Sequence, residues 1–193
     1  MNIVATTLSR KEIITDKKTI ALIGIISFVL FTALGAYVYV PLAFTPVPLT
    51  MQTFFVLLSG ALLGKRLGSL SQAVYILLGM GGIPLFSAGS FGLMRIAGPT
   101  GGYLFGFVLA GYAVGKMLKN KDSLSSIAIA LTIGALIILL SGAGWLCLGL
   151  GFSIKNAFLL GVVPFMPGEI LKVAAAAIIC RKYLKRAKEV YSL

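Results

Sequence analysis

From Thr19 to Val40 the chain carries neither a charge nor a proline, a run long enough to cross the hydrocarbon core of a bilayer as a helix. Such runs constrain the fold because lipid offers no hydrogen-bond partner to the backbone, so a spanning segment must be a helix or a strand of a closed barrel. The runs recur, and their length selects helices. Spans are expected at about 19–40, 49–64, 67–80, 102–118, 124–146 and 167–183, between an arm over 1–18 and a tail over 184–193. The short third run implies a tilted helix or one that ends below the membrane surface. Charged residues are 11% of the chain, well below the roughly one quarter usual in soluble domains. The expected fold is an all-α membrane protein, a compact bundle of six transmembrane helices with long outer loops, forming a single integral domain over residues 1–193.

Six spans place both termini on one side, and the basic residues agree with that count. Of the 17 lysines and arginines, all but Arg95, Lys155 and Lys172 fall in the arm, the tail, the breaks at Lys65-Arg66 and Lys119–Lys121, at Lys116 near the end of the fourth span, or at Arg181 and Lys182 at the end of the last. The positive-inside rule makes that side cytoplasmic. The chain is therefore expected in the cell (plasma) membrane, multi-pass, with both termini cytoplasmic and membrane lipid as its surroundings. The net charge of +12 is orientation signal distributed between apolar runs, and nucleic acid is not expected as a partner. Cys147 and Cys180 sit in apolar sequence and read as small buried hydrophobes, with no metal site. The polar, basic first 18 residues show no signal-peptide pattern.

Two connections are irregular. Residues 41–48 contain three prolines and cannot form a helix. Residues 79–102 are too rich in glycine and proline for one helix and too apolar for a solvated loop, which fits a lid or a cavity lining. Phe152 to Val163 is short enough to be a re-entrant or interfacial helix. Gly102, Gly106 and Ala110, like Gly111 and Gly115, follow four-residue spacing and are expected to pack helices closely within the monomer.

The charges left on the outer half are the informative ones. Glu169 and Lys172 lie one helical turn apart at the start of the last span, and an ionisable residue inside an apolar segment is by default a functional-site hypothesis. Lys155 reads as a solvated or headgroup-facing lysine. A pocket is expected where the prolyl loop, the glycyl loop and the last span meet. Its polar candidates are Thr45, Thr50, Gln52, Tyr75, Ser87, Ser90, Arg95, Thr100, Tyr103, Glu169 and Lys172, and its apolar candidates are Phe44, Phe86 and Phe91. Arg95 can clamp a carboxylate bidentately. Glu169 can accept from ligand N–H groups, and its first-turn position suits the helix dipole. The chemistry points to a small, mainly apolar ligand with a carboxylate at one end and N–H and C=O groups at the other.

Enzyme readings fare poorly. Gly89-Ser90-Phe91-Gly92 has the form of an intramembrane serine-protease motif, but the chain has no histidine to act as base. Gly111 to Lys116 lacks the spacing and the following Ser/Thr of a P-loop, so ATP would have to bind other subunits. The protein is expected not to be an enzyme. A stand-alone ion-coupled carrier of a small carboxylate vitamin, with Glu169 as proton carrier, is a competing class. The charge pattern equally admits another small carboxylate with polar ring atoms, such as a different vitamin.

Five motifs carry a resemblance across residues 20 to 185. Pro46-Val-Pro-Leu-Thr-Met-Gln-Thr53, Leu57-Leu-Ser-Gly-Ala-Leu-Leu-Gly64, Gly79-Met-Gly-Gly-Ile-Pro-Leu-Phe86, Gly98-Pro-Thr-Gly-Gly-Tyr103 and Pro167-Gly-Glu-Ile-Leu-Lys172 together resemble the BioY family of biotin-specific substrate-binding subunits. The resemblance implies the S component of an energy-coupling factor (ECF) transporter: six helices, with a substrate pocket near the extracellular surface covered by the first and third outer loops. It implies biotin as the transported ligand, no cofactor, and association with a transmembrane coupling subunit and two ATPase subunits, with toppling in the membrane to release substrate. It draws Gly98 into the site through its motif. The acid of the last motif is commonly Asp in the family and here is Glu169. The Ala-x-x-x-Ala docking pattern of the first helix is replaced by Ala21 and Gly24, with Thr32 and Ala36 further out.

Overall fold

Helix α1, Lys17–Tyr37, begins where the Asp16 carboxylate accepts from the Lys18 backbone N–H at 3.1 Å, pairing a donor that the first turn leaves unpaired. It stops at Tyr37 rather than Val40. Val40 precedes Pro41, which biases it to extended backbone, and Tyr39–Val40 (β1) pairs antiparallel with Leu49–Thr50 (β2) in the register Tyr39↔Thr50 and Val40↔Leu49. This short ribbon closes the base of the prolyl loop. The computed structural model describes residues 16–191, so Arg10 and Lys11 of the expected arm and the last two residues of the tail lie outside the described residues.

Helix α2, Gln52–Met80, is broken at Gly64, whose φ of 78° and ψ of 178° are open to glycine and costly for other residues. The two arms double back on each other. Gln52 Nε2 donates to Tyr75 Oη at 2.7 Å near one end of the hairpin, and Gln72 Nε2 donates to Ser59 Oγ at 3.1 Å further down. A Cβ on Gly68 would lie 2.7 Å from the Ser59 carbonyl oxygen, so glycine is what lets the arms approach.

The rest of the bundle is α3 (Leu93–Ala97), α4 (Gly101–Leu118), α5 (Leu124–Leu148), α6 (Ile154–Gly161) and α7 (Met166–Tyr191), with single 3-10 turns at Ser87–Gly89 and Val163–Phe165. The small residues of α4 form two faces. Gly102 and Gly106 lie against Trp145, Ser141 and Ile138 of α5, whereas Gly111 and Gly115 lie against Gly68 and the Gly64–Lys65 break of α2. Small residues matter at these contacts because lipid is as apolar as leucine, so close approach of the backbones helps hold membrane helices together. Large apolar side chains lie on both sides, Leu57, Phe107, Leu131 and Ile138 buried and Leu22, Leu30, Leu34, Leu109, Leu140, Ile170 and Ile178 facing outward.

Five helical stretches are long and apolar enough to cross a membrane: Lys17–Tyr37, Gln52–Met80, Gly101–Leu118, Leu124–Leu148, and Ile154–Tyr191, which contains α6 and α7. This is a multi-pass, all-helical membrane protein. The region around Phe152–Val163 holds the eight-residue α6, capped by the Ser153 hydroxyl. The expected last span ended at Tyr183, but α7 continues to Tyr191. Lysine and arginine are good helix formers and suit the negative end of the dipole, and Lys188 Nζ donates to the Lys121 carbonyl at 3.1 Å.

Candidate functional site

A 3-10 turn over Val163–Phe165 delivers the chain into α7, and Pro167 falls in the first turn, where its missing N–H costs no helical bond. A Cβ on Gly168 would lie 3.2 Å from the Leu49 side chain of β2, so the start of α7 sits against the base of the prolyl loop. The next turn carries Glu169 and Lys172, each only 6% exposed. Lys172 Nζ lies 2.7 Å from Glu169 Oε1. Thr53, one residue into α2, completes a triangle: its hydroxyl donates to the same Oε1 at 2.7 Å and accepts from Lys172 Nζ at 2.9 Å. Glu169 Oε2 is buried and has no partner.

These three residues line one cavity with Val47 and Pro48 of the prolyl loop, Phe86, Ser87 and Arg95 of the glycyl loop, and Thr50, Gln52, Thr100 and Tyr103. Its remaining wall is apolar: Leu104, Phe107, Leu139 and Phe165. Glu169 also borders an apolar groove between α5 and α7 lined by Ala135, Val173 and Ala177.

Several expected residues build this wall without offering free polar groups. Gln52 accepts from Thr50 Oγ1 at 3.1 Å and donates to Tyr75, whose own hydroxyl donates to the Leu85 carbonyl at 2.8 Å. Tyr75 is fully buried behind the cavity and packs edge-on against Phe86, with ring centroids 5.6 Å apart. Phe86 fits directly over Gly79, where a Cβ would come within 2.3 Å of the ring. Tyr37 Oη donates to the Pro84 carbonyl at 2.5 Å, which ties the glycyl loop to the end of α1.

Arg95 projects from α3, a single turn of helix inside the glycyl loop. One guanidinium nitrogen donates to Ser87 Oγ at 2.5 Å, and its Nε is buried without a partner. Burial pulls the guanidinium below its ordinary value and the nearby Tyr75 opposes this, but an arginine starts high enough to stay charged. Thr100 Oγ1 donates to the Arg95 carbonyl at 3.3 Å, and Trp145 Nε1 donates to the Gly98 carbonyl at 3.0 Å. Gly98 thus serves as an anchor of the loop on α5. Ser90 donates to the Ser87 carbonyl at 2.7 Å and stabilises the turn. Tyr103 presents its ring to the cavity while its hydroxyl donates to the Gly161 carbonyl at 2.7 Å.

The structure therefore brings Glu169, Lys172, Arg95, Thr50, Gln52, Tyr103, Phe86 and Thr100 to one cavity and leaves Tyr75, Ser90 and Gly98 outside its lining. Phe44 and Phe91 are exposed, and Thr45 ties the prolyl loop to the Leu160 carbonyl at 2.8 Å. Lys155 is exposed on α6. Sequence reading missed Thr53 as a site residue although its motif was in view. No local spacing marks it, since Thr50 lies on β2 and the partners of Thr53 lie on α7.

Residues 7–189 match the model of the BioY family. The chain is 41% identical over 165 residues to the probable biotin transporter BioY of Pyrococcus horikoshii, covering 86% of this chain and 95% of that protein. It is 39% identical over 159 residues to the biotin transporter BioY of Thermotoga maritima, covering 81% of this chain and 92% of that protein. Among solved structures, the S-component for biotin from an ECF-type ABC transporter superposes with a TM-score of 0.81 at 24% identity, covering 89% of this chain and 94% of that one. That likeness establishes the fold.

Proposed function

The chain belongs to the BioY family, and from that premise we propose that it captures biotin and takes it across the membrane as the substrate-binding subunit of an ECF-type ABC transporter. One observation carries the ligand assignment. Among the described residues, the buried side-chain polar atoms without a partner are Glu169 Oε2, an acceptor, and Arg95 Nε, a donor, and both residues line the same cavity. A buried unpaired polar group costs free energy that a complementary ligand can recover. Biotin supplies both complements, ureido N–H groups for the carboxylate and a valerate carboxylate for the guanidinium, on an apolar ring system suited to Phe107, Leu139 and Phe165.

In this reading the two arms of α2 count as separate spans, giving six crossings with both termini in the cytoplasm and the cavity at the extracellular end. The clustering of basic residues at the opposite end of the bundle supports that orientation. The chain contributes capture, needs no cofactor of its own, and relies on a transmembrane coupling subunit and two ATPase subunits for the power stroke, because nothing in its sequence forms a nucleotide site. Ion coupling through Glu169 is disfavoured because its Oε1 is already engaged by Thr53 and Lys172. Titration calorimetry of the purified protein tests the assignment. Saturable biotin binding is expected, and the absence of binding would overturn it.

A further inference from the structure

We propose that Thr53 is a positioning residue that orients the Glu169 carboxylate and thereby makes the site specific for a ligand N–H donor. The inference rests on the biotin reading above. Lys172 can only donate, so the Thr53 hydroxyl must accept from it and turn its own proton toward Glu169. Both donors then converge on Oε1, at 2.7 Å each. Oε2 alone is left to receive a third donor, and it is the buried oxygen without a partner.

Lysine by itself would not fix this choice. Its ammonium is a point charge on a flexible stem and can bind either carboxylate oxygen. Threonine has few χ1 choices in the first turn of α2, and its bonds to Glu169 and Lys172 hold the hydroxyl in one of them. No neighbour replaces it, because the Gln52 amide is bonded to Thr50 and Tyr75, and the Tyr75 hydroxyl to Leu85. Thr53 also joins α2 to α7 across the cavity, so the orientation of the acid depends on the prolyl-loop end of the bundle staying docked on the last helix.

The test compares biotin with a biotin methylated at both ureido nitrogens, by equilibrium binding to the full-length protein. Thr53→Val and Thr53→Ala remove the hydroxyl, and Thr53→Ser keeps it. The wild type and the serine variant are expected to prefer biotin strongly. The two hydroxyl-free variants are expected to lose about ten-fold or more in biotin affinity, the scale of one hydrogen bond to a charged group, with a much smaller change for the methylated ligand. The preference for biotin therefore collapses. Unchanged biotin affinity in the hydroxyl-free variants would overturn the proposal. So would equal losses for both ligands shared by the serine variant, since Thr53 would then only pack. A wild type that binds no biotin would overturn the biotin reading itself, an outcome distinct from either.

Discussion

Lys172 Nζ lies 2.7 Å from Glu169 Oε1, one turn apart on the same helix, and both side chains are shut away from solvent. Moving two charges out of water costs several kcal/mol each, and their attraction repays this only with good geometry and further hydrogen bonds. Here Thr53 supplies those bonds on one carboxylate oxygen while the other is left bare. A pair that existed only to neutralise itself would have no reason to keep a buried acceptor unpaired beside a cavity.

Glu169→Gln should weaken biotin binding by about 2 kcal/mol or more, the scale of a hydrogen bond to a charged group plus the penalty of a mismatched one. The amide oxygen can still accept from Thr53 and Lys172, but an N–H₂ donor then replaces the free acceptor. Calorimetric titration checks this. An unchanged Kd would mean that the carboxylate does not meet the ligand.

Arg95→Ala should cost biotin roughly 1.5–3 kcal/mol of binding free energy, and biotin amide clearly less, because a charge-assisted bond is lost only with the carboxylate. Competition titrations with the two ligands read the difference. Equal losses would remove Arg95 from the carboxylate.

Gly142 of α5 lies so close to Tyr103 that a Cβ would stand 2.2 Å from its ring. Gly142→Ala should displace that ring from the cavity wall and destabilise the packing by about 1–3 kcal/mol. Thermal unfolding in detergent and biotin affinity should fall together. Retention of both would show that α5 moves aside.

Gly64→Ala forces a side chain into the conformation that turns α2 back on itself, at a cost of order 1–3 kcal/mol. The expected result is a lower unfolding temperature. A wild-type value would mean that the turn can be made another way.

The helices were legible because lipid removes alternatives: an apolar run of membrane length must pair its own backbone. The break within α2 was legible as well, since Gly64-Lys65-Arg66 puts a conformationally free residue beside two charges in an otherwise apolar stretch. The loops were less so. Phe86 is buried and Phe91 exposed, although both belong to the same Gly-rich loop, because burial there follows from the Gly79 recess and the Tyr75 ring rather than from any period in the sequence. Gln52 and Tyr75 looked like ligand-facing groups, yet they are bonded to each other, a pairing across the hairpin that no local spacing reveals. Thr53 escaped for the same reason, its partners lying more than a hundred residues away on α7.

The most direct test of the central claim is a structure of the protein with biotin bound. A ureido N–H within hydrogen-bond distance of Glu169 Oε2, with the valerate carboxylate against the Arg95 guanidinium, is the predicted result. Biotin held elsewhere, or in this cavity with its carboxylate toward Glu169, would contradict the account.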